Sequence, residues 1–176
     1  MQTLFLDRDG VINVRTPGDY VKHPDAFIPT PGFETAMPML AAAFDRIVVV
    51  TNQAGIGKGL MNEADLELVH RKMLGITLAA GGRIDGIYFC PHRSDAGCPC
   101  RKPATGMAWS ALLEFPDIDF EQAWMVGDSL ADMQFGQALG MQIALIEGKT
   151  EEAESLAKLR IPHQFATLLD FARFIC

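Results

Sequence analysis

Thr3-Leu4-Phe5-Leu6-Asp7-Arg8-Asp9-Gly10 is a short apolar run that ends in two carboxylates at i, i+2 and then a glycine. A run of this length closed by a turn signal reads as a strand. In a parallel α/β sheet, ligands bind just beyond the carboxyl ends of strands. Asp7 and Asp9 are therefore expected at the edge of a site, close enough to share a divalent cation. A carboxylate held near a hard cation can bind oxygens or attack a phosphorus centre. Taken alone, the pair reads equally well as a loop in which Gly10 supplies a turn. An EF-hand is excluded, because the glycine follows Asp9 directly and no acidic residue stands at the twelfth place.

Working outward, further strands follow at Arg46-Ile47-Val48-Val49-Val50-Thr51, Ile84 to Phe89, Ala123-Trp124-Met125-Val126 and Met141 to Ile146. The second of the five is β-branched from Ile47 to Thr51, as suits a strand buried on both faces. Helical spacing lies between them: Phe33, Ala36, Met37, Leu40 and Ala41, interrupted by an awkward Pro38; then Leu66, Val69, Met73 and Ile76 behind an Asn62 cap. Thr105 is expected to cap a helix carrying Met107, Ala108, Ala111, Leu112 and Phe115, and another helix carries Leu130, Met133 and Leu139. The tail reads as a helix near 151–159, a break at Ile161-Pro162 and a last helix near 168–174. Strands alternating with helices argue an α/β fold, a mostly parallel sheet with helices on both faces. No repeat or linker divides the chain, so one domain over 1–176 is expected.

Three of these strands end in matching chemistry: Asp7 and Asp9, Thr51 and Asn52, and Asp128. Phosphoryl transfer needs a nucleophile, a cation that screens it and donors for the spread negative charge. Two carboxylate-bearing strand ends and one hydroxyl supply such a set, and Arg101-Lys102-Pro103 adds positive charge. By themselves Arg101 and Lys102 read as a solvated surface pair.

The chain has 176 residues, 49% hydrophobic and 21% charged, the balance of a soluble globular protein. Its net charge of −7 argues against a nucleic-acid surface, which needs a basic face. A local site can still be positive and take an anionic metabolite. No signal peptide is expected, because Met1-Gln2-Thr3 leads directly into a strand, and no apolar run approaches the roughly 20 residues of a membrane helix. Three of the four cysteines fall between Cys90 and Cys100, a metal-binding pattern in a reducing compartment, so the protein is expected to be cytoplasmic. Cys176 reads as an unpaired terminal thiol.

Asp-Arg-Asp-Gly, the strand ending in Thr51-Asn52, Arg101-Lys102-Pro103 and Gly127-Asp128-x-x-x-Asp132 occur in that order. Together they resemble the haloacid dehalogenase superfamily of phosphatases, over Phe5 to about Ile146. The resemblance implies a Rossmann-like fold, aspartyl-phosphate chemistry and Mg²⁺. It implies Asp7 as nucleophile and Asp9 as the acid that protonates the leaving alkoxide, then the base that activates water. Asp7, the backbone carbonyl of Asp9 and Asp128 would hold Mg²⁺. Thr51 and Lys102 would hold the phosphoryl oxygens, with Asp132 fixing the geometry of its neighbours. Asn52, Arg101, Arg15, Lys58 and Ser129 complete the expected substrate contacts.

The loop from Cys90 to Cys100 holds Cys90, His92, Cys98 and Cys100 within eleven residues, a set that suits tetrahedral Zn²⁺. With four protein ligands the zinc is structural. Free thiols and a disulfide are the alternatives. Metal binding would supply folding energy to a segment with no core of its own and would position Arg101 and Lys102. Such a loop in place of a large cap resembles two branches of the superfamily, one acting on heptose 1,7-bisphosphate and one on histidinol phosphate. Asn13 and the Gln53-Ala54-Gly55-Ile56-x-x-Gly59 run resemble the heptose branch. The five residues between His92 and Cys98 resemble the histidinol branch, and Ser129 stands where heptose enzymes carry a lysine.

The expected function is therefore Mg²⁺-dependent hydrolysis of a small phosphorylated metabolite by a monomer. Heptose 1,7-bisphosphate, losing its 7-phosphate, is the favoured substrate, and histidinol phosphate is the alternative. A non-catalytic phospho-ligand module is the competing class, against which the intact Asp7, Asp9, Thr51, Lys102 and Asp128 set argues. The glycines of Gly55 to Gly59 are expected to permit an irregular turn, unless Lys58 reaches a distal anion. His70 is expected to be a surface or packing residue.

Overall fold

The structure is a computed structural model that describes residues 2–176. Six strands form one sheet: β1 (Thr3–Leu6), β2 (Arg46–Asn52), β3 (Gly86–Cys90), β4 (Trp124–Gly127), β5 (Gln142–Ile146) and β6 (His163–Phe165). All neighbours pair in parallel, in the order β3-β2-β1-β4-β5-β6. The chain winds one way from β1 to β3 and the other way from β4 to β6. The reversal falls between β1 and β4, where a doubly wound sheet opens a crevice at its carboxyl edge.

The period-2 alternation of the strands sorts their side chains into two cores. Leu4, Leu6, Ile47, Val49, Trp124, Val126, Ala144 and Ile146 face one side. There they meet helices α1 (Phe33–Ala43), α3 (Glu63–Ala79) and α7 (Leu168–Ile175). Phe5, Val48, Val50, Met125, Ile143 and Leu145 face the other, against α4 (Gly106–Glu114), α5 (Leu130–Ala138) and α6 (Ala153–Ala157). Burial on both faces is why these strands read as continuous apolar runs.

Local expectations fare unevenly. Asn62 caps α3 in a full capping box with Asp65, and Pro38 lies inside α1. Thr105 makes no side-chain cap; its hydroxyl instead accepts from the Trp109 indole at 3.2 Å. The first amide of α4 is taken by the Pro99 carbonyl at 2.9 Å, so a tertiary contact does the capping. Gly55 and Gly57 lie in a short helix, α2 (Ala54–Gly57), rather than an irregular turn. The sixth strand, His163-Gln164-Phe165, was not expected: three residues with no apolar run carry no strand signal, and pairing with β5 makes it one.

Helix α5 sits so close to the sheet that a Cβ on Gly136 would stand 2.6 Å from Ile143 Cγ2 and 2.9 Å from Met125 Cβ. Gly136→Val should therefore lower stability by about 1–3 kcal/mol, read from urea unfolding midpoints. Gly75→Ala, at an exposed position of α3 where an added Cβ meets nothing within 4 Å, should instead stabilise by roughly 0.5–1 kcal/mol.

Candidate active site

The carboxyl ends of β2, β1 and β4 lie side by side, and the loops beyond them enclose a cleft of about 430 Å³. The cleft is lined by Asp7, Asp9, Arg15, Thr51, Asn52, Lys58, Arg101, Lys102, Asp128 and Ser129, the full set expected to touch phosphate, sugar or magnesium. Tyr20, Asp132, Lys149 and Glu152 line it as well.

Lys102 is its buried centre. Its Nζ lies 2.8 Å from Asp7 Oδ1 and 2.6 Å from Asp132 Oδ1, and it donates to the Val50 carbonyl at 2.6 Å. Burial works against the ammonium charge, but Asp132 and Asp7 outweigh it and raise the Lys102 pKa. The loop that carries Lys102 is pinned by Asn52, which accepts from its amide at 3.0 Å and donates to its carbonyl at 3.1 Å. Asn52 thus serves the backbone of Lys102 as well as the cleft wall.

Asp7, Asp128 and Asp132 bring carboxylate oxygens within 4.8 Å of one another. Burial pushes Asp7 up to about 6, with Asp132 and Asp9 adding to the rise against Lys102. Burial, then Asp7 and Asp132, push Asp128 up to about 8, against the pull of Arg15 and Lys149. Three buried carboxylates with one ammonium among them are short of positive charge, and hard oxygen donors in this number fit a divalent cation. Gly10 closes this group: an added Cβ would stand 2.0 Å from Asp128 Oδ2, on a backbone already at φ +96°.

Asp9 belongs to a different environment. Its carboxylate accepts from Arg8 Nη2 at 2.8 and 2.9 Å, from Asn13 at 3.0 Å and from Gln53 at 2.8 Å. Burial acts to raise its pKa, but the Arg8 charge and the bonds from Arg8, Asn13 and Gln53 prevail and hold it below the usual carboxylate range. Its side chain does not belong to the three-carboxylate group. Gln53 also donates to Thr51 Oγ1 at 2.9 Å, which leaves the threonine hydroxyl to donate into the cleft.

The rim residues are looser. Arg15 leans on Asp128 Oδ2 at 3.6 Å and on Glu151 at 3.5 Å. Lys58 stands over the Tyr20 ring at 5.3 Å, and Arg101 donates to the His92 carbonyl at 3.4 Å. Ser129 is turned inward: its hydroxyl donates to Asp132 at 2.6 Å and forms the capping box of α5. Arg8, Gln53 and Lys149 were missed in the sequence. The signal for Gln53 was its place two residues beyond Thr51 in Thr51-Asn52-Gln53, on the same side of the extended chain.

Behind Arg101 and Lys102, the sulfurs of Cys90, Cys98 and Cys100 lie 3.1–3.4 Å apart. His92 Nδ1 lies 3.5 Å from Cys90 and 3.3 Å from Cys100. All three thiols are free, so the disulfide alternative falls. The ligand atoms of a tetrahedral metal with bonds of about 2.3 Å to sulfur stand roughly 3.6–3.8 Å apart, so an ion fits this cluster after an outward shift of a few tenths of an ångström.

Fold and site together define a phosphatase of the haloacid dehalogenase type. Residues 99–171 match the HAD-hydrolase-like family model. The chain is 40% identical, over 99% of its length and 95% of the relative's, to D-glycero-beta-D-manno-heptose-1,7-bisphosphate 7-phosphatase of Neisseria meningitidis. It is 37% identical to the enzyme of that name from Pseudomonas putida, over 98% of this chain and 96% of the relative. Among solved structures, D,D-heptose 1,7-bisphosphate phosphatase from B. bronchiseptica, complexed with magnesium and phosphate, superposes with a TM-score of 0.90. That structure is 35% identical and covers 99% of this chain and 98% of its own. The chain belongs to the HAD-like hydrolases, in the family that these phosphatases form.

Gly10→Ala tests how the cation group is built. It should leave the fold intact but weaken Mg²⁺ binding roughly tenfold or more, measured by calorimetric titration of the metal, because Asp128 has to move.

Proposed function

We propose that this protein removes the 7-phosphate of D-glycero-D-manno-heptose 1,7-bisphosphate through an aspartyl-phosphate on Asp7. The observation that carries the reading is the cleft itself: a buried carboxylate fixed by Lys102 lies beside a cation-deficient carboxylate group and a second carboxylate on separate partners. Relatives named for that substrate along nearly the whole chain support the choice of sugar.

In this reading Asp7 attacks phosphorus, and the bond to the sugar oxygen breaks while Asp9 gives that oxygen its proton. Asp9 is ionised in the free protein; a phosphate dianion arriving beside it raises its proton affinity, so that it takes up from solvent the proton it then donates. Asp9 then takes a proton from water, whose oxygen attacks phosphorus and frees Asp7 and inorganic phosphate. Thr51 donates to a phosphoryl oxygen, and Lys102, whose three protons are engaged in the free protein, gives up one of those bonds to donate to another. Asp7, Asp128 and the Asp9 carbonyl would hold Mg²⁺, which would neutralise charge at the reacting phosphate when bound. Asp132 serves by fixing Lys102 and the turn at Asp128 and Ser129.

A bisphosphate brings a second anion, and Arg15, Lys58 and Arg101 stand at the rim to receive it. Ser129 has its hydroxyl engaged by Asp132, so the reading gives it a capping role ahead of a substrate contact. The Cys90, His92, Cys98 and Cys100 cluster is read as a structural zinc site. Free thiols this close fit a reducing, cytoplasmic compartment. The proposed nucleophile, acid and cation ligands all lie in one cleft, and the reading takes the protein as one domain acting as a monomer.

The function is tested by side-by-side kcat/KM on heptose 1,7-bisphosphate, as both anomers, and histidinol phosphate. The sugar should be preferred by tenfold or more, about 1.4 kcal/mol in transition-state stabilisation; the reverse preference would move the assignment to the histidinol branch. In the same assay Asp7→Asn should fall to near background, and normal turnover there would sink the aspartyl-phosphate route.

Metal analysis tests the loop. Purified protein should hold about one zinc per chain. Cys98→Ser should lower that content and raise KM, because the loop that presents Arg101 and Lys102 loosens.

A further inference from the structure

His70 is a buried titratable group for which the proposed chemistry has no use. It lies on α3 and lines a second cleft of about 310 Å³ together with Glu63, Leu66, Glu67 and Phe89. Its ring packs edge-on against Phe89 at 6.2 Å. Its Nε2 lies 3.4 Å from Arg8 Nη1. Arg8 is fully buried, 0% exposed, and a guanidinium keeps its charge at any pH a protein tolerates.

The partners of that buried cation are few. Nη2 takes both oxygens of Asp9, Nη1 takes His70, and Nε has no partner among the described residues. A guanidinium fork is planar, so whatever holds Nη1 sets the plane in which Nη2 meets Asp9. Asn13 and Gln53 touch one Asp9 oxygen each; Arg8 alone touches both.

We infer that His70 is a positioning residue: acting through Arg8, it fixes the plane of the Asp9 carboxylate for proton transfer. This inference rests on the phosphatase reading above. Because arginine can only donate, His70 Nε2 is the acceptor and the ring proton sits on Nδ1. Burial and then the Arg8 charge, against Asp9, lower the His70 pKa to about 4, in keeping with a neutral ring. The relay Asp9–Arg8–His70 joins the β1 loop to α3.

The test compares leaving groups. His70→Leu fills the space but has no acceptor; His70→Gln places an amide oxygen near the position of Nε2. The native protein and both variants are assayed with saturating Mg²⁺ on the sugar bisphosphate, whose alkoxide needs a proton, and on p-nitrophenyl phosphate, whose phenolate needs little. For His70→Leu, kcat/KM should fall about tenfold or more on the sugar and no more than about threefold on the aryl ester. His70→Gln should stay within about threefold of native on both. Equal losses on the two substrates, or glutamine no better than leucine, would overturn the inference. Native protein that hydrolyses neither ester would overturn the phosphatase reading instead. ¹⁵N NMR of the native protein gives an answer that does not depend on how the variants fold. A neutral ring protonated on Nδ1 supports the relay, and one protonated on Nε2 ends it.

Discussion

The buried ammonium of Lys102 ties three pieces of the fold into one site. It bonds Asp7 at the end of β1, Asp132 in the first turn of α5 and the Val50 carbonyl in β2. An ammonium buried at this depth is tolerated only when its partners are in place, since an uncompensated buried charge costs several kcal/mol. Asp132 in turn accepts from the amides of Asp128 and Ser129. The position of the proposed nucleophile and of the proposed cation ligand Asp128 therefore follow from one cluster.

Lys102 itself comes from a segment without regular structure, and its placement has to be supplied from outside. Asn52 supplies part of it by pairing with the Lys102 backbone. The Cys/His loop supplies the rest. Gln53 and Gly57 donate backbone amides to the Cys90 and Pro91 carbonyls. Added Cβ atoms on Gly57 and Gly106 would stand 2.7 Å from the Pro91 carbonyl and 2.5 Å from the Pro99 carbonyl. The loop is thus wedged between α2 and α4 by close backbone contact, and a metal among its four ligands would stiffen it at its centre. The described residues include no large cap, and phosphate-binding residues can be presented by this means.

The two aspartates of the opening motif are given different environments although they stand two residues apart. Asp7 sits among carboxylates and one ammonium, where burial raises its proton affinity. Asp9 sits among an arginine and two amides, which hold it ionised despite burial. In the free protein this split runs opposite to the proposed roles, the nucleophile raised and the acid lowered; a cation beside Asp7 and a phosphate dianion beside Asp9 would reverse it, lowering the first and raising the second. The intervening Arg8 makes the split, because its side chain turns into the protein and brings its charge to Asp9 alone.

Much of this was legible in the chain before folding. Apolar runs ending in Asp7, Thr51 and Asp128 announce strands with chemistry at their carboxyl ends, because burial on both faces demands such runs and the sheet edge is where backbone order stops. The Asn62 cap was readable for the same local reason. What the sequence left open was decided by contacts between distant residues. Thr105 lost its cap to Pro99; His163 to Phe165 became a strand only through β5; Ser129 gave its hydroxyl to Asp132. The partners of Lys102, and the link from His70 through Arg8 to Asp9, join residues 30 to 95 positions apart. Local spacing carries no record of such pairings, since they exist only once the sheet has brought its strand ends together.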